Sequence, residues 1–176
     1  MDLYLWNSHL TMKEVQETVA YQILENKAEL SPSDRALLEK AESQRSLAYA
    51  PYSHFHVGSA LRLADGTIIV GSNQENASFP VGICGERVAL FAAGAQYPDQ
   101  PVDTIAISVA SEEEDLAPAA APCGMCRQAI AEYEVRHQRP IRLILGGETS
   151  TIYLMESASQ LLPLAFDASF LQRKKD

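Results

Sequence analysis

The order of elements read from the sequence predicts an α/β layered fold, with helices covering a central mixed sheet of about five strands. Three observations carry this. A helix start is written at Ser31-Pro32-Ser33-Asp34, a turn at Asp65-Gly66 separates two strand-like runs, and helical and β-type runs alternate from residue 84 onward. In chain order, the odd positions from Val15 to Ile23 read Val, Glu, Val, Tyr, Ile, which suits an edge strand, although Val15 and Val19 also fit one helical face. Ser31 suits an N-cap, Pro32 the first helical position, and Asp34 the third residue of a capping-box spacing; Leu37, Leu38 and Ala41 then form the apolar stripe. Ala50-Pro51-Tyr52-Ser53 breaks the chain. Phe55–Leu63 and Thr67–Val70 flank Asp65-Gly66 as a hairpin with a two-residue turn. A polar loop from Asn73 to Gly82 leads into a helix over about Cys84–Ala95, followed by a buried strand over Thr104–Ala110. Ser111–Ala121 reads as an acidic, Ala/Pro-rich surface connection. Cys123–Val135 is the next helix, Ile141–Leu145 and Ile152–Leu154 are strands, and Ser159–Leu162 is a helical turn before the tail.

The 176 residues suit one domain, read as 31–176, with 1–30 as an extension that serves as an edge strand or an arm between subunits. No apolar run approaches the roughly 18 residues of a membrane span, and the first residues lack the pattern of a secretory signal, which predicts a cytoplasmic protein. The formal charge is −9, from 14 Lys plus Arg against 23 acidic residues, and the single basic cluster is Arg173–Lys175. Nucleic-acid binding draws its affinity from a basic face, so a free, uncharged small molecule is the expected partner, with neither nucleic acid nor membrane.

The chemistry concentrates at two points. Cys84 stands in Ile-Cys-Gly-Glu (83–86), and Cys123 and Cys126 stand in Pro-Cys-Gly-Met-Cys (122–126); these are all three cysteines of the chain. An odd, small number argues against a disulfide framework. Each set falls where a predicted helix begins, and a helix N-terminus favours thiolates. Two such starts brought together would offer three sulfurs to one zinc ion and leave a fourth position open for water. Glu86, two residues after Cys84, is placed as the non-ligand carboxylate of a Cys-x-Glu … Pro-Cys-x-x-Cys deaminase pattern. Cys123-x-x-Cys126 alone is shared with redox pairs and structural zinc sites; the combination is specific.

The stretch from Ala48 to about Phe170 resembles the small zinc cytidine deaminases that assemble as homotetramers with three cysteine ligands. The segments that carry the resemblance are AYAPYSHFHVG (48–58), NQENASF (73–79), CGERVA (84–89), PCGMCRQ (122–128) and LLPLAF (161–166), in that order along the chain. The resemblance implies a three-layer α-β-α cytidine-deaminase-like fold, one Zn²⁺ per chain on Cys84, Cys123 and Cys126, and Glu86 as the proton shuttle. It implies further that Phe55 packs on the pyrimidine, that Asn73 and Glu75 bind the ribose 3′-hydroxyl, and that the Gly85 N–H helps hold the base. Ala77 and Phe79 would reach a neighbouring subunit's site, and Phe166 would close over the base, also from another subunit. The implied activity is hydrolytic deamination of cytidine and 2′-deoxycytidine in pyrimidine salvage. Four positions depart from the commonest pattern: Gly85 where Ala is usual, Phe79 for a frequent Tyr, Met125 at a small position, and Asp167 for Gly.

Three thiolates give Zn²⁺ a net charge of −1, which weakens its pull on water, so Arg87 is a candidate donor to the sulfurs. Two other classes share these residues. A non-catalytic, zinc-stabilised module would need a fourth protein ligand, for which His54 and His56 are the candidates, and would have no use for Glu86. A deaminase of a related nucleoside, such as a nucleoside antibiotic, would keep the whole metal site.

Overall fold

The computed structural model describes residues 13–112, 119–149 and 151–171. Arg173–Lys175 and most of the acidic connection after Ser111 lie outside them. The described chain forms one mixed sheet of six strands in the order β1-β6-β5-β4-β2-β3. These are β1 (Gln22–Leu24), β2 (Phe55–Leu63), β3 (Ile68–Ser72), β4 (Val102–Ser111), β5 (Arg142–Gly146) and β6 (Ile152–Met155). Only β4 and β5 run parallel, joined through α3 (Gly124–His137); the remaining pairs are antiparallel.

The period-2 alternation of the strands decides which helix covers which face. On one side Ala60, Ala106, Ile144, Ile152 and Leu154 pack against Leu37, Leu38 and Ala41 of α1 (Pro32–Gln44). On the other, Val57, Leu61, Ile105, Ile107, Leu143 and Leu145 pack against Ala89, Leu90 and Ala93 of α2 (Gly85–Gln96) and Ile130 of α3. The result is the three-layer α-β-α arrangement. The sixth strand is β1. It pairs through three residues only, Gln22, Ile23 and Leu24 against Leu154, Tyr153 and Ile152 of β6. The alternation from Val15 therefore runs well beyond the segment that becomes strand.

The hairpin also differs from expectation. Leu63 donates its N–H to the Thr67 carbonyl at 2.9 Å, so the loop is Ala64-Asp65-Gly66, three residues long. Gly66 sits at φ +91°, the left-handed position that closes a three-residue hairpin loop and that a side chain would strain.

At the start of α1, Ser31 accepts the Asp34 N–H as the capping signal predicts, at 3.2 Å. The Asp34 carboxylate does not close the box; it binds Arg62 of β2 at 3.2 Å and Arg142 of β5. Burial alone would raise the Asp34 pKa, but the bonds from Arg142, Ser31 and Arg62 outweigh it and hold the group below its usual 3.8. With 3 % of its surface exposed, Asp34 is a buried pivot joining α1 to two strands. Asp34→Asn is expected to destabilise the fold by about 3 kcal/mol near neutral pH, since both arginines keep a second acidic partner in Asp103 or Glu156. A depressed folded pKa contributes stability above the unfolded value of 3.8 and loses it as pH falls through the folded value. The gap between wild type and variant in urea unfolding should therefore narrow below about pH 4.

Candidate metal centre and active site

The two helix starts meet. Cys84 is the N-cap residue of α2 and Cys123 that of α3, both with extended backbone and neither using its thiol as a cap. Their carbonyls still accept the first helical N–H groups, from Arg87 and Val88 at 3.1 Å and from Arg127 at 2.9 Å. The backbone thus begins each helix while the thiols stay free to turn elsewhere. Cys126 joins from the first turn of α3, fully buried.

The sulfurs of Cys84 and Cys123 are 3.8 Å apart, those of Cys123 and Cys126 3.4 Å, and all three lie within 4.8 Å of one another. Tetrahedral zinc with Zn–S bonds of about 2.3 Å requires sulfurs about 3.8 Å apart. The donor set and its spacing fit Zn²⁺. The Cys126 thiol, hydrogen-bonded to Cys84, holds Cys84 down at about 5, and Arg87 adds to the effect. Arg87 itself is half-buried, yet its bonds to Cys84 and Cys126 outweigh burial and raise its pKa. Among the described residues these three cysteines are the one group spaced to hold a metal ion. His54 and His56 do not supply a fourth ligand; they pair with the Glu112 carboxylate at 3.2 and 2.9 Å.

Glu86 lies in the first turn of α2, 4 % exposed, with its Oε2 buried and unpartnered. Burial pushes its pKa up to about 7, and the neighbouring Cys84 adds to the push. A buried carboxylate oxygen with no partner costs stability, and here it stands beside a zinc-binding triad. Gly85 makes this placement possible: a Cβ there would come within 2.9 Å of the Val57 carbonyl and 3.3 Å of Ser72 Cα. The departure from Ala at this position has a local cause, the close seating of α2 on β2 and β3.

The loop after β3 is threaded between two extended segments. Tyr49 N–H bonds the Asn73 carbonyl at 3.0 Å and Glu75 N–H the Tyr49 carbonyl at 2.8 Å, while Gln74 and Ile83 exchange N–H groups at 2.9 and 3.0 Å. Asn73 and Glu75 are thereby fixed one bridge away from Cys84. The Asn73 amide accepts Val57 N–H at 2.8 Å and donates to the Phe55 carbonyl at 2.9 Å, clamping the entry to β2. The Glu75 carboxylate opens on a cavity of about 330 Å³ lined by Tyr52, Ser53, Glu75, Asn76, Phe79 and Gly82. Phe55 is half-buried against the core, and Phe79 is 74 % exposed with its ring edge-on to Tyr52 at 5.9 Å. Ala77 lies on the exposed loop and Met125 on the exposed surface of α3.

Phe166 is elsewhere. It stacks on Phe170, its carbonyl accepts Gln128 Nε2–H at 2.8 Å, and it lines a larger cavity, about 390 Å³, with Val135 and Arg139. The sequence reading overlooked Tyr52 and Ser53 as lining residues, although both stand inside the Ala-Pro-Tyr-Ser signature.

Residues 31–138 match the family model for the cytidine and deoxycytidylate deaminase zinc-binding region. A cytidine deaminase of Halalkalibacterium halodurans is 40 % identical over 132 residues, 75 % of this chain and 92 % of that protein. One from Sporosarcina psychrophila is 40 % identical over 131 residues, 74 % of this chain and 88 % of its own length. The crystal structure of cytidine deaminase from Burkholderia pseudomallei superposes with a TM-score of 0.64 at 40 % identity, covering 74 % of this chain and 97 % of that one.

Proposed function

The chain belongs to the zinc-dependent cytidine deaminase family, and from that premise we propose how its residues divide the work of deaminating cytidine and 2′-deoxycytidine in pyrimidine salvage. The enzyme is a hydrolase that converts cytidine to uridine and ammonia, with zinc as its cofactor. The observation that carries the division is the unpartnered Glu86 carboxylate oxygen, buried beside three sulfurs at zinc-binding spacing.

Cys84, Cys123 and Cys126 hold the metal, and Arg87 offsets their charge. Zinc supplies a water made acidic enough to attack near neutral pH. Glu86 accepts that water's proton and passes it to N3 of the pyrimidine as hydroxide adds to C4. It then takes the proton of the new hydroxyl and delivers it to the departing amine, so that ammonia leaves and a carbonyl remains. One carboxylate serves both transfers because it regains a proton each time it gives one up.

Phe55 packs on the base and the Gly85 N–H holds it. Glu75 accepts the ribose 3′-hydroxyl, and Asn73 reaches the same sugar with the second hydrogen of its Nδ2. The cavity that Glu75 faces has no Lys or Arg in its lining, which supports a nucleoside over a 5′-nucleotide. The net charge of −9 supports a free small molecule over nucleic acid. No helix among the described residues is long and apolar enough to cross a membrane, and we place the enzyme in the cytoplasm. Phe79 and Phe166 are exposed, and Phe166 does not line the cavity that Glu75 faces in its own chain. That supports composite sites in which Ala77, Phe79 and Phe166 come from neighbouring subunits of a homotetramer.

The test is ammonia release from cytidine, 2′-deoxycytidine, CMP and cytosine, with light scattering on the same sample. Turnover of the two nucleosides by a tetramer, with CMP and cytosine left nearly untouched, is the expected result. Equal rates on CMP would overturn the nucleoside assignment, and a fully active monomer would overturn the composite site.

A further inference from the structure

The carboxylate of Glu75 is not held by its own loop. Three donors reach it from the turn before β2: Tyr52 N–H at 2.9 Å and Ser53 N–H at 3.3 Å on Oε2, and the Ser53 hydroxyl at 2.5 Å on Oε1. The Ser53 oxygen also accepts the N–H of Phe55 at 3.1 Å. Its single proton therefore points to Glu75, and its lone pair faces Phe55. Phe55 is gripped on its other side by Asn73, whose Nδ2 donates to the Phe55 carbonyl and whose Oδ1 accepts the Val57 N–H. One hydroxyl thus joins the residue read as the sugar acceptor to the residue read as the base platform.

The turn that presents Ser53 is itself fixed. His54 donates its N–H to the Ala50 carbonyl at 3.1 Å and adopts φ +52°, in the left-handed region. Glu112 closes on His54 from β4's end, its N–H to the His54 carbonyl at 3.1 Å and its carboxylate to Nδ1 at 3.2 Å. The backbone donors on Glu75 come with this turn whatever the side chain at 53. The hydroxyl is the one contact that substitution can remove.

We propose that Ser53 is a positioning residue for ribose recognition: its hydroxyl fixes the Glu75 carboxylate in the rotamer that meets the 3′-hydroxyl of the nucleoside and couples it to Phe55. This rests on the reading of Glu75 as the sugar's acceptor. The Ser53 bond leaves the reacting atoms untouched. Its contribution therefore belongs to binding of a sugar that carries the hydroxyl, and turnover of the bound nucleoside is independent of it. A hydrogen bond to a charged group is strong enough that its loss costs about 10-fold.

The experiment compares wild type, Ser53→Ala, Ser53→Thr, Glu75→Gln and the double variant Ser53→Ala/Glu75→Gln on cytidine and 3′-deoxycytidine, with zinc content and thermal unfolding measured on each. For Ser53→Ala, KM for cytidine should rise about 10-fold with kcat within twofold, and the preference for cytidine over 3′-deoxycytidine should fall by the same factor. Ser53→Thr, which keeps the hydroxyl, should restore the preference, and the double variant should be no worse than Glu75→Gln alone. A collapse of the preference in Glu75→Gln with none in Ser53→Ala overturns the role of Ser53 while leaving that of Glu75 intact. An unchanged preference in Glu75→Gln overturns the sugar assignment itself, and the proposal with it. A uniform loss in Ser53→Ala on both substrates, with a lowered unfolding temperature, makes Ser53 a structural residue and also overturns the proposal.

Discussion

Glu86→Gln is expected to keep its zinc and its fold while losing at least ~10²–10⁴-fold in kcat. The side chain is 4 % exposed, and Gln matches Glu in shape, so the replacement leaves the packing of α2 on the sheet unchanged. It also removes a buried charge whose Oε2 has no partner, and a neutral amide is cheaper to bury than a carboxylate. The variant should therefore unfold no earlier than wild type. Turnover is a different matter. An amide oxygen can accept a hydrogen bond from water but cannot take its proton, and both proton transfers pass through this one group. Single-turnover ammonia release, with zinc content and thermal unfolding on the same samples, separates loss of chemistry from loss of structure. Activity within threefold of wild type would mean that another group moves the protons.

The legible part of this site is the part written as local spacing. A helix start places its cap and first-turn residues by geometry alone, so Cys84 with Glu86, and Cys123 with Cys126, could be read as pairs aimed by α2 and α3. That the two starts face each other is a tertiary fact, and the combination of Cys-x-Glu with Pro-Cys-x-x-Cys is what pointed to it. The layers were legible from the order of helices and strands along the chain, whereas β4 and β5 are apolar on both faces, with Ile105 and Ile107 on one and Ala106 on the other, and carry no alternation that says which helix covers which. What could not be read depends on partners remote in sequence. The pairing of β1 is made with β6, about 130 residues later in the chain, and Gly85 owes its place to the Val57 carbonyl. Asp34 looked like half of a capping box because the arginines that claim it lie 28 and 108 residues away. Ser53 was invisible as an acceptor-holding residue until the turn at 50–54 and the loop at 73–75 were seen side by side. Phe166 shows the limit most clearly. Its own chain bonds its carbonyl to Gln128 and stacks its ring on Phe170, and a role in a neighbouring subunit's site would be written in the assembly, not in one chain's local spacing.

Replacing Cys123 and Cys126 together by Ala is expected to abolish both metal binding and turnover. Wild-type protein should carry about one zinc per chain, and the double variant close to none, because two of three donors within 4.8 Å are gone and no other described group has ligand spacing. Turnover should fall on the order of 10³-fold or more, since water without the metal is far too weak an acid to attack near pH 7. Stability should fall as well. A metal on the three sulfurs would tie the start of α2 to the start of α3, and in the double variant the half-buried sulfur of Cys84 keeps only Arg87 as a partner. A chelator control distinguishes a lost metal from a damaged fold: wild-type protein stripped of zinc should lose activity in the same way and regain it on adding zinc back, whereas the double variant should not respond. Full zinc content in the double variant would place the metal at some other group of residues and would remove the basis for reading Glu86 as its neighbour.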